Sequence, residues 1–118
     1  MGLIRVYSKN FPLPGYLALT FYPWVFIREG AKDRYTAKVD RHECTHAYQQ
    51  IETLWILFLI IYGLEYLIKW FFCGFDGHRA YRSISFEQEA YEHEDELYYN
   101  GVRSHYNWVK YIFKLVKA

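Results

Sequence analysis

The chain has 118 residues, which is enough for one domain and too few for two. Its formal net charge of +1 generates no long-range field that would select nucleic acid as a partner. Two cysteines, Cys44 and Cys73, cannot form a disulfide framework, so we expect both to be buried thiols. The start of the chain lacks the layout of a signal peptide. We therefore expect one cytoplasmic domain over residues 1–118.

Aromatic residues make up 22% of the chain, with 13 Tyr, 9 Phe and 4 Trp. A small domain needs large side chains to bury enough surface, so an aromatic core is the first interpretation. The second is an adhesive surface for a membrane or a partner, which leaves peripheral membrane contact and homo-oligomer formation open.

The first third of the sequence indicates a small sheet. Residues 1–15 contain Pro12, Pro14 and Gly15 and predict an irregular lead-in. Residues 17–22 (LALTFY) and 24–28 (WVFIR) are rich in aromatic and β-branched residues, and Pro23 separates them, so they predict two short strands. Residues 29–33 predict a loop.

A helical pattern runs from about Thr36 to Glu52. Its predicted apolar stripe consists of Cys44, Ala47, Tyr48, Ile51 and Trp55. The opposite, polar face carries His42, His46, Gln49 and Thr53.

Residues 54–73 (LWILFLIIYGLEYLIKWFFC) form an apolar run in which Glu65 and Lys69 are the two charges. Twenty residues would just span a bilayer. However, a charge near the bilayer centre costs about 2.5–3.5 kcal/mol. We expect a buried core helix to about Phe72, in which Glu65 and Lys69 pair at i,i+4.

The last third predicts two more helices. After a loop over residues 74–82, Ser85 and Gln88 fit a capping box at the start of a helix that reaches about Asn100. A final helix is predicted over residues 106–116. The fold class is therefore α+β: a mostly helical single domain with a small N-terminal sheet or hairpin and about four helices.

Residues 42–46 (HECTH) carry the chemistry, since they fit the pattern H-E-x-x-H. Residues four apart lie one turn above each other, so His42 and His46 can bind one zinc ion. Glu43 lies beside them and can act as general base, taking a proton from a zinc-activated water and delivering it to the leaving amine.

A catalytic zinc needs a third protein ligand and an open fourth position. We favour Glu87, because it lies in the first turn of a helix whose start is fixed and whose dipole stabilises a carboxylate. The other candidates are Glu89, His78, His93 and His105.

Residues 42–49 (HECTHAYQ) and 85–91 (SFEQEAY) resemble the gluzincin metallopeptidases, and the short chain resembles the minigluzincins. In those enzymes the third ligand is the first Glu of an E-x-x-A-D segment, which residues 87–90 match as far as the alanine. The resemblance implies a zincin-like fold, zinc on His42, His46 and Glu87, Glu43 as general base and acid, and a peptide or protein substrate.

One position departs from the family pattern. Tyr91 replaces the aspartate that often supports a histidine ligand, and such partners change metal affinity by about 10–100-fold. Glu94, one turn later, can substitute for it. The family also implies an edge strand that pairs with the substrate, for which residues 24–28 are the candidate. Candidates for the oxyanion stabiliser are Tyr81, Tyr91, His78 and His93.

The zinc site and a single membrane span exclude each other. Both histidines precede the apolar run and Glu87 follows it, so a span would put them on opposite sides of the membrane. Two alternatives to peptide hydrolysis remain: an inactive zinc-binding scaffold, and a membrane-associated module in which the motif is accidental. An active site covered by residues 1–15 or by the last helix would make the enzyme latent. The sequence does not identify the substrate.

Overall fold

A computed structural model describes residues 3–9 and 17–116. Its strands are β1 (Ile4–Ser8), β2 (Ala18–Phe21) and β3 (Trp24–Arg28). Its α-helices are α1 (Ala37–Glu52), α2 (Ile56–Phe72), α3 (Gly77–Ser83), α4 (Ser85–His93) and α5 (Tyr99–Val102). Short 3-10 helices cover Glu29–Arg34 and Asn107–Tyr111. The predicted α+β class, with a small N-terminal sheet and a mostly helical remainder, is confirmed.

The sheet has the order β1–β3–β2, with β3 parallel to β1 and antiparallel to β2. Alternate residues of β3, Val25 and Ile27, are completely buried. Both strands predicted around Pro23 are confirmed. The predicted irregular lead-in is wrong for β1, since residues 4–8 gain their hydrogen bonds from β3 rather than from a local pattern. Residues 10–16 lie outside the described residues.

Helix α1 begins at Thr36, whose hydroxyl accepts a hydrogen bond from the Val39 N–H. Its polar face points inward, so the predicted apolar stripe is wrong: Gln49 and Gln50 are fully buried, whereas Ile51 is 38% exposed. Protein groups satisfy these buried amides.

Gln50 attaches α1 to the sheet. Its Oε1 accepts from the Tyr22 N–H at 2.6 Å, and its Nε2 donates to the Thr20 carbonyl at 2.7 Å. One side-chain amide therefore occupies both backbone groups at the β2–β3 turn, as a neighbouring strand would.

A sharp turn joins α1 to α2, with Leu54 and Trp55 at φ values of 55° and 59°. The Trp55 indole donates to the Tyr22 carbonyl at 3.2 Å and holds this left-handed backbone in place. Among the described residues, no helix by itself has the length and apolar character to cross a membrane. Helices α1 and α2 meet those criteria only as a pair, which is bent by 113°.

Helix α2 exposes most of its apolar side chains, so the predicted buried core helix is wrong. Of its residues, Phe58, Glu65 and Lys69 are buried. The predicted i,i+4 ion pair is confirmed, with Lys69 Nζ 2.8 Å from Glu65 Oε1. The Ser85 N–H and hydroxyl also donate to the Glu65 carboxylate, and Lys69 donates to the Ser83 carbonyl. These partners stabilise the charges inside the protein and leave the apolar face outside.

The later helices differ from the predicted ones where capping and tertiary contacts determine the residue at which a helix begins. Part of the predicted loop forms α3, which Asp76 caps by accepting from the Arg79 N–H at 3.1 Å. Ser85 lies inside α4 and not at its N-cap, because its hydroxyl donates to Glu65. Similarly, residues 29–33 belong to a 3-10 helix rather than a loop.

The two predicted C-terminal helices are shorter than expected. Helix α4 ends at His93, and the separate α5 precedes a 3-10 helix (Asn107–Tyr111) that occupies only part of the predicted final helix. An apolar core holds these parts together. The Phe86 ring of α4 stacks on that of Phe58 at 4.4 Å between centroids, and the tilted ring of Trp108 lies at 4.6 Å. Thus α4 is fixed between α2 and the C-terminal segment, which we define as residues 106–116.

The buried ion pair of α2 is open to a stability test. We expect Lys69→Met to lower the free energy of unfolding by about 3 kcal/mol, since it leaves Glu65 as a buried charge without its cation. Urea unfolding followed by tryptophan fluorescence measures the change. The double variant Glu65→Leu/Lys69→Met should lose less than the sum of the two single variants.

The matched control is Lys38→Met, which removes a half-exposed lysine that pairs with Glu94 and Asp95. It should cost less than about 1 kcal/mol. Equal losses for Lys69→Met and Lys38→Met would contradict the account of α2.

Candidate metal centre

Two elements bring three side chains together. His42 and His46 lie one turn apart on α1, and Glu87 lies in the first turn of α4. The two Nε2 atoms are 3.2 Å apart, and each lies 3.1 Å from Glu87 Oε1. All three residues are buried. Of the five third-ligand candidates, the structure joins Glu87 to the histidine pair.

These separations fit a metal ion. Nitrogen and oxygen ligands bound tetrahedrally at about 2.0–2.2 Å from zinc stand about 3.3–3.5 Å from one another. The observed 3.1–3.2 Å is within a few tenths of an ångström of that value. A small outward shift of each ligand would therefore admit the ion.

The outer contacts of the two imidazoles determine which nitrogen carries hydrogen. His42 Nδ1 lies 2.9 Å from Glu94 Oε2, and a carboxylate only accepts. His46 Nδ1 lies 2.8 Å from Gln49 Oε1, while Gln49 Nε2 donates to other groups. Both Nδ1 atoms therefore donate, and in the neutral imidazoles both Nε2 lone pairs point at the Glu87 carboxylate. Three lone pairs that converge in a buried site would be stabilised by a cation between them.

The electrostatics agree with this requirement. Burial lowers the pKa of His42, but its hydrogen bonds to Glu87 and Glu94 raise the pKa more, to about 10. Burial likewise lowers the pKa of His46, and the charge of Glu87 raises it above the ordinary value. Burial raises the pKa of Glu87, whereas the two imidazoles hold it well below its usual range. The site therefore favours positive charge where the three atoms meet.

Contacts from α2 and α1 fix the position of Glu87. Its second oxygen accepts from the Tyr62 hydroxyl of α2 at 2.7 Å. Gln49 Nε2 donates to the Phe86 carbonyl at 3.0 Å and to Glu89 Oε1 at 2.9 Å, which joins α1 to α4. Sequence reasoning missed Tyr62, because no local signal relates α2 to the site. It placed Gln49 on the same face as the two histidines but assigned it no role, although Gln49 lies three residues after His46.

The remaining third-ligand candidates have other partners. Glu89 forms a buried ion pair with Arg103 at 2.8 Å, and Arg103 also binds Glu52. His93 stacks on Tyr99 with ring centroids 3.8 Å apart, and His105 is exposed beside Glu52. His78 lines the neighbouring cavity but lies outside the three-ligand group.

A cavity of about 580 Å³ adjoins the site. His42 and Glu43 form part of its wall, together with Tyr66 of α2 and residues of α3, α4 and β2. Glu43 Oε1 accepts from the Thr20 hydroxyl at 2.6 Å, a contact that sequence reasoning did not find. Among the described residues, the cavity wall includes none from the C-terminal segment, which packs on α4.

Three of the four predicted oxyanion candidates, Tyr81, Tyr91 and His78, lie at the cavity. Tyr81 and Tyr91 both line the cavity, with hydroxyl oxygens 3.4 Å apart, and the Tyr91 ring packs 4.3 Å from that of His42. Burial raises the pKa of both tyrosines, so their hydroxyls remain protonated and able to donate. His78 also lines the cavity, whereas His93 is absent from its wall.

The strand predicted to lie beside a substrate is the wrong one. Strand β3 is central, so β1 and β2 occupy both of its edges. Strand β2 is instead at an edge of the described sheet, and Leu17 and Ala18 at its start line the cavity. The error arose because only β2 and β3 were predicted as strands. Without β1, which pairs with the other edge of β3, the strand β3 would itself lie at an edge.

Comparisons with known proteins identify no relative. No protein-family model matches the chain, and neither a curated protein nor a solved structure is significantly similar to it.

The three-ligand arrangement predicts metal content. We expect about one zinc per chain in the wild type and little in His46→Ala or Glu87→Ala, since each change removes one of three ligands. Elemental analysis of the purified proteins measures it. His105→Ala and Glu92→Gln are matched controls outside the site and should keep the metal. Full zinc in Glu87→Ala would refute the ligand set.

The Glu94 contact predicts a graded effect. We expect Glu94→Ala to weaken zinc affinity by about 10–100-fold, because His42 loses the group that orients it. Competition with a chromogenic chelator gives the affinity. Asp95→Ala changes the next, exposed acid and should have little effect. Unchanged affinity in Glu94→Ala would show that His42 needs no such support.

Proposed function

We propose that this protein is a zinc-dependent metallopeptidase of the gluzincin type. The proposal rests on one observation: three buried donors converge beside Glu43 at the wall of an open cavity. The motif over residues 42–46 and its resemblance to the gluzincins support the same reading. The reaction class is hydrolysis of a peptide bond.

The donor set suits zinc. Two neutral imidazoles and one carboxylate are a common set for catalytic zinc, with a further position left open. His42, His46 and Glu87 would hold the ion. A zinc ion there supplies the Lewis acidity that makes water a nucleophile near neutral pH.

Glu43 has the position of a general base. It follows His42 on α1 and shares the cavity wall with it. The Thr20 hydroxyl holds one carboxylate oxygen at 2.6 Å, so the group is oriented before substrate binds. Glu43 takes the proton from the attacking water and delivers it to the leaving amine.

The cavity wall provides two further elements for a peptide substrate. The β2 edge can pair with an extended peptide backbone, since Leu17 and Ala18 lie at the cavity. The hydroxyls of Tyr81 and Tyr91 lie 3.4 Å apart, and the one that does not donate to the other is a candidate donor to the oxyanion of the transition state. The substrate is therefore a peptide or an extended protein segment.

The second candidate is a zinc-stabilised scaffold without turnover. Its supporting observation is that Glu43 is buried and already accepts a hydrogen bond from Thr20. Metal content alone does not separate the two functions, because both need the same ligands.

Glu43→Gln separates them. We expect it to keep the zinc and to lower hydrolysis of a peptide library by at least about 100-fold, since general base catalysis contributes roughly 10²–10⁴-fold. Mass spectrometry of the cleaved peptides measures turnover. Thr20→Val, which frees Glu43 without removing it, should give a smaller loss. Zinc-loaded wild type that cleaves nothing in the library would favour the scaffold.

A further inference from the structure

Helix α2 and its two ends present a continuous apolar surface to the outside. We define the α2 outer face as the large side chains in residues 54–75 that are exposed: Leu54, Ile56, Leu57, Leu59, Ile60, Leu64, Leu67, Ile68, Trp70, Phe71, Phe72 and Phe75. The two charges of this interval, Glu65 and Lys69, are buried and paired. The polarity of the helix is thus opposite to that of an ordinary surface helix, which directs its charges to water.

The exposed apolar area of this face is large enough to indicate a binding surface. Its four aromatic residues alone expose roughly 350–550 Å². The largest apolar patch on a typical monomer is about 300–600 Å² in total. The eight leucines and isoleucines add to that area, so the α2 outer face exceeds what an ordinary monomer exposes to water.

The lack of exposed polar groups on this face distinguishes a lipid from a protein as its binding partner. Protein interfaces, including those between identical subunits, carry about one hydrogen bond per 100–200 Å². Every exposed residue of the α2 outer face is apolar, and the Trp70 indole N–H already donates to the Phe75 carbonyl at 3.0 Å. The neighbouring Trp55 indole is likewise used by the Tyr22 carbonyl. A surface that offers no polar group to a partner matches hydrocarbon.

We propose that the α2 outer face binds to the surface of a lipid bilayer, with α2 lying in the membrane plane. Its 17 residues form a rod about 25 Å long whose other side packs on the core cluster of Phe58 and Phe86. A crossing by α2 alone would separate His42 from Glu87, which lie 3.1 Å apart. Attachment to one leaflet leaves that contact intact.

Basic groups of the C-terminal segment, which contacts the buried side of α2 at Lys69, favour an anionic bilayer. The C-terminal segment meets α2 where Lys69 Nζ lies 3.4 Å from the Tyr111 carbonyl. This segment alternates exposed apolar residues with lysines: Phe113 is 98% exposed, and Lys110 and Lys114 are exposed beside it. Such lysines attract anionic headgroups while apolar neighbours enter the interface.

Flotation of the full-length protein with vesicles tests the proposal. Wild type should float with vesicles of equal parts phosphatidylcholine and phosphatidylglycerol. Leu64→Glu/Ile68→Glu, which changes two residues that are each 55% exposed, should bind at least about tenfold more weakly. Leu97→Glu/Val102→Glu is the control, because both residues are exposed apolar residues outside the α2 outer face. Lys110→Gln/Lys114→Gln should lose about fivefold per lysine on these vesicles and little on phosphatidylcholine alone.

The outcomes separate the bilayer from other occupants. Wild type that does not float, or variants of the outer face that float equally well, would overturn the proposal. A stable oligomer in the absence of vesicles that Leu64→Glu/Ile68→Glu dissociates, together with no flotation, would assign the face to a second copy of the chain. Circular dichroism and metal content show that each variant is folded. The proposal is independent of peptide hydrolysis, so vesicle binding and turnover succeed or fail separately.

Discussion

A polar contact between α1 and α4 underlies the arrangement of this protein. Gln49 donates to the Phe86 carbonyl and to Glu89, and accepts from His46, so one buried amide connects both helices and a ligand. Arg103 strengthens the same interface by pairing with Glu89 and Glu52. Since buried polar groups must be satisfied, this network fixes the distance between the helices. The convergence of the histidines on Glu87 follows from that distance.

Because many polar side chains point into the interior, apolar side chains are left on the surface. The interior of this small protein contains two amides, a histidine pair and several buried carboxylates, which leaves less room for aliphatic side chains. Helix α2 contributes Glu65 and Lys69 to that interior and turns its leucines and isoleucines outward. A polar core and an apolar outer face are therefore two results of the same packing. A candidate metal site and an exposed apolar face can coexist in a short chain for this reason.

The sequence was most informative where the determinants are local. The spacing of His42 and His46 places them on one helical face whatever the rest of the fold does, and the i,i+4 pair of Glu65 and Lys69 follows the same rule. Glu87 could be chosen among five candidates, but only the tertiary contact between α1 and α4 brings it to the histidines. The burial of α1 and α2 could not be predicted from periodicity, because each buried polar group depends on a partner far away in the chain. The central position of β3 could not be predicted for a similar reason, since its partner β1 lies far before it in the chain, with Ile4 paired to Trp24.

X-ray absorption at the zinc edge of the purified, metal-loaded protein tests directly whether His42, His46 and Glu87 bind the ion. We predict an inner shell of nitrogen and oxygen at about 2.0–2.1 Å, with the multiple-scattering signature of two imidazoles and no sulfur. A sulfur shell at about 2.3 Å would bring Cys44 or Cys73 into the site and contradict the ligand set. A spectrum of six distant oxygens, typical of a hydrated surface ion, would show that the three lone pairs do not hold the metal.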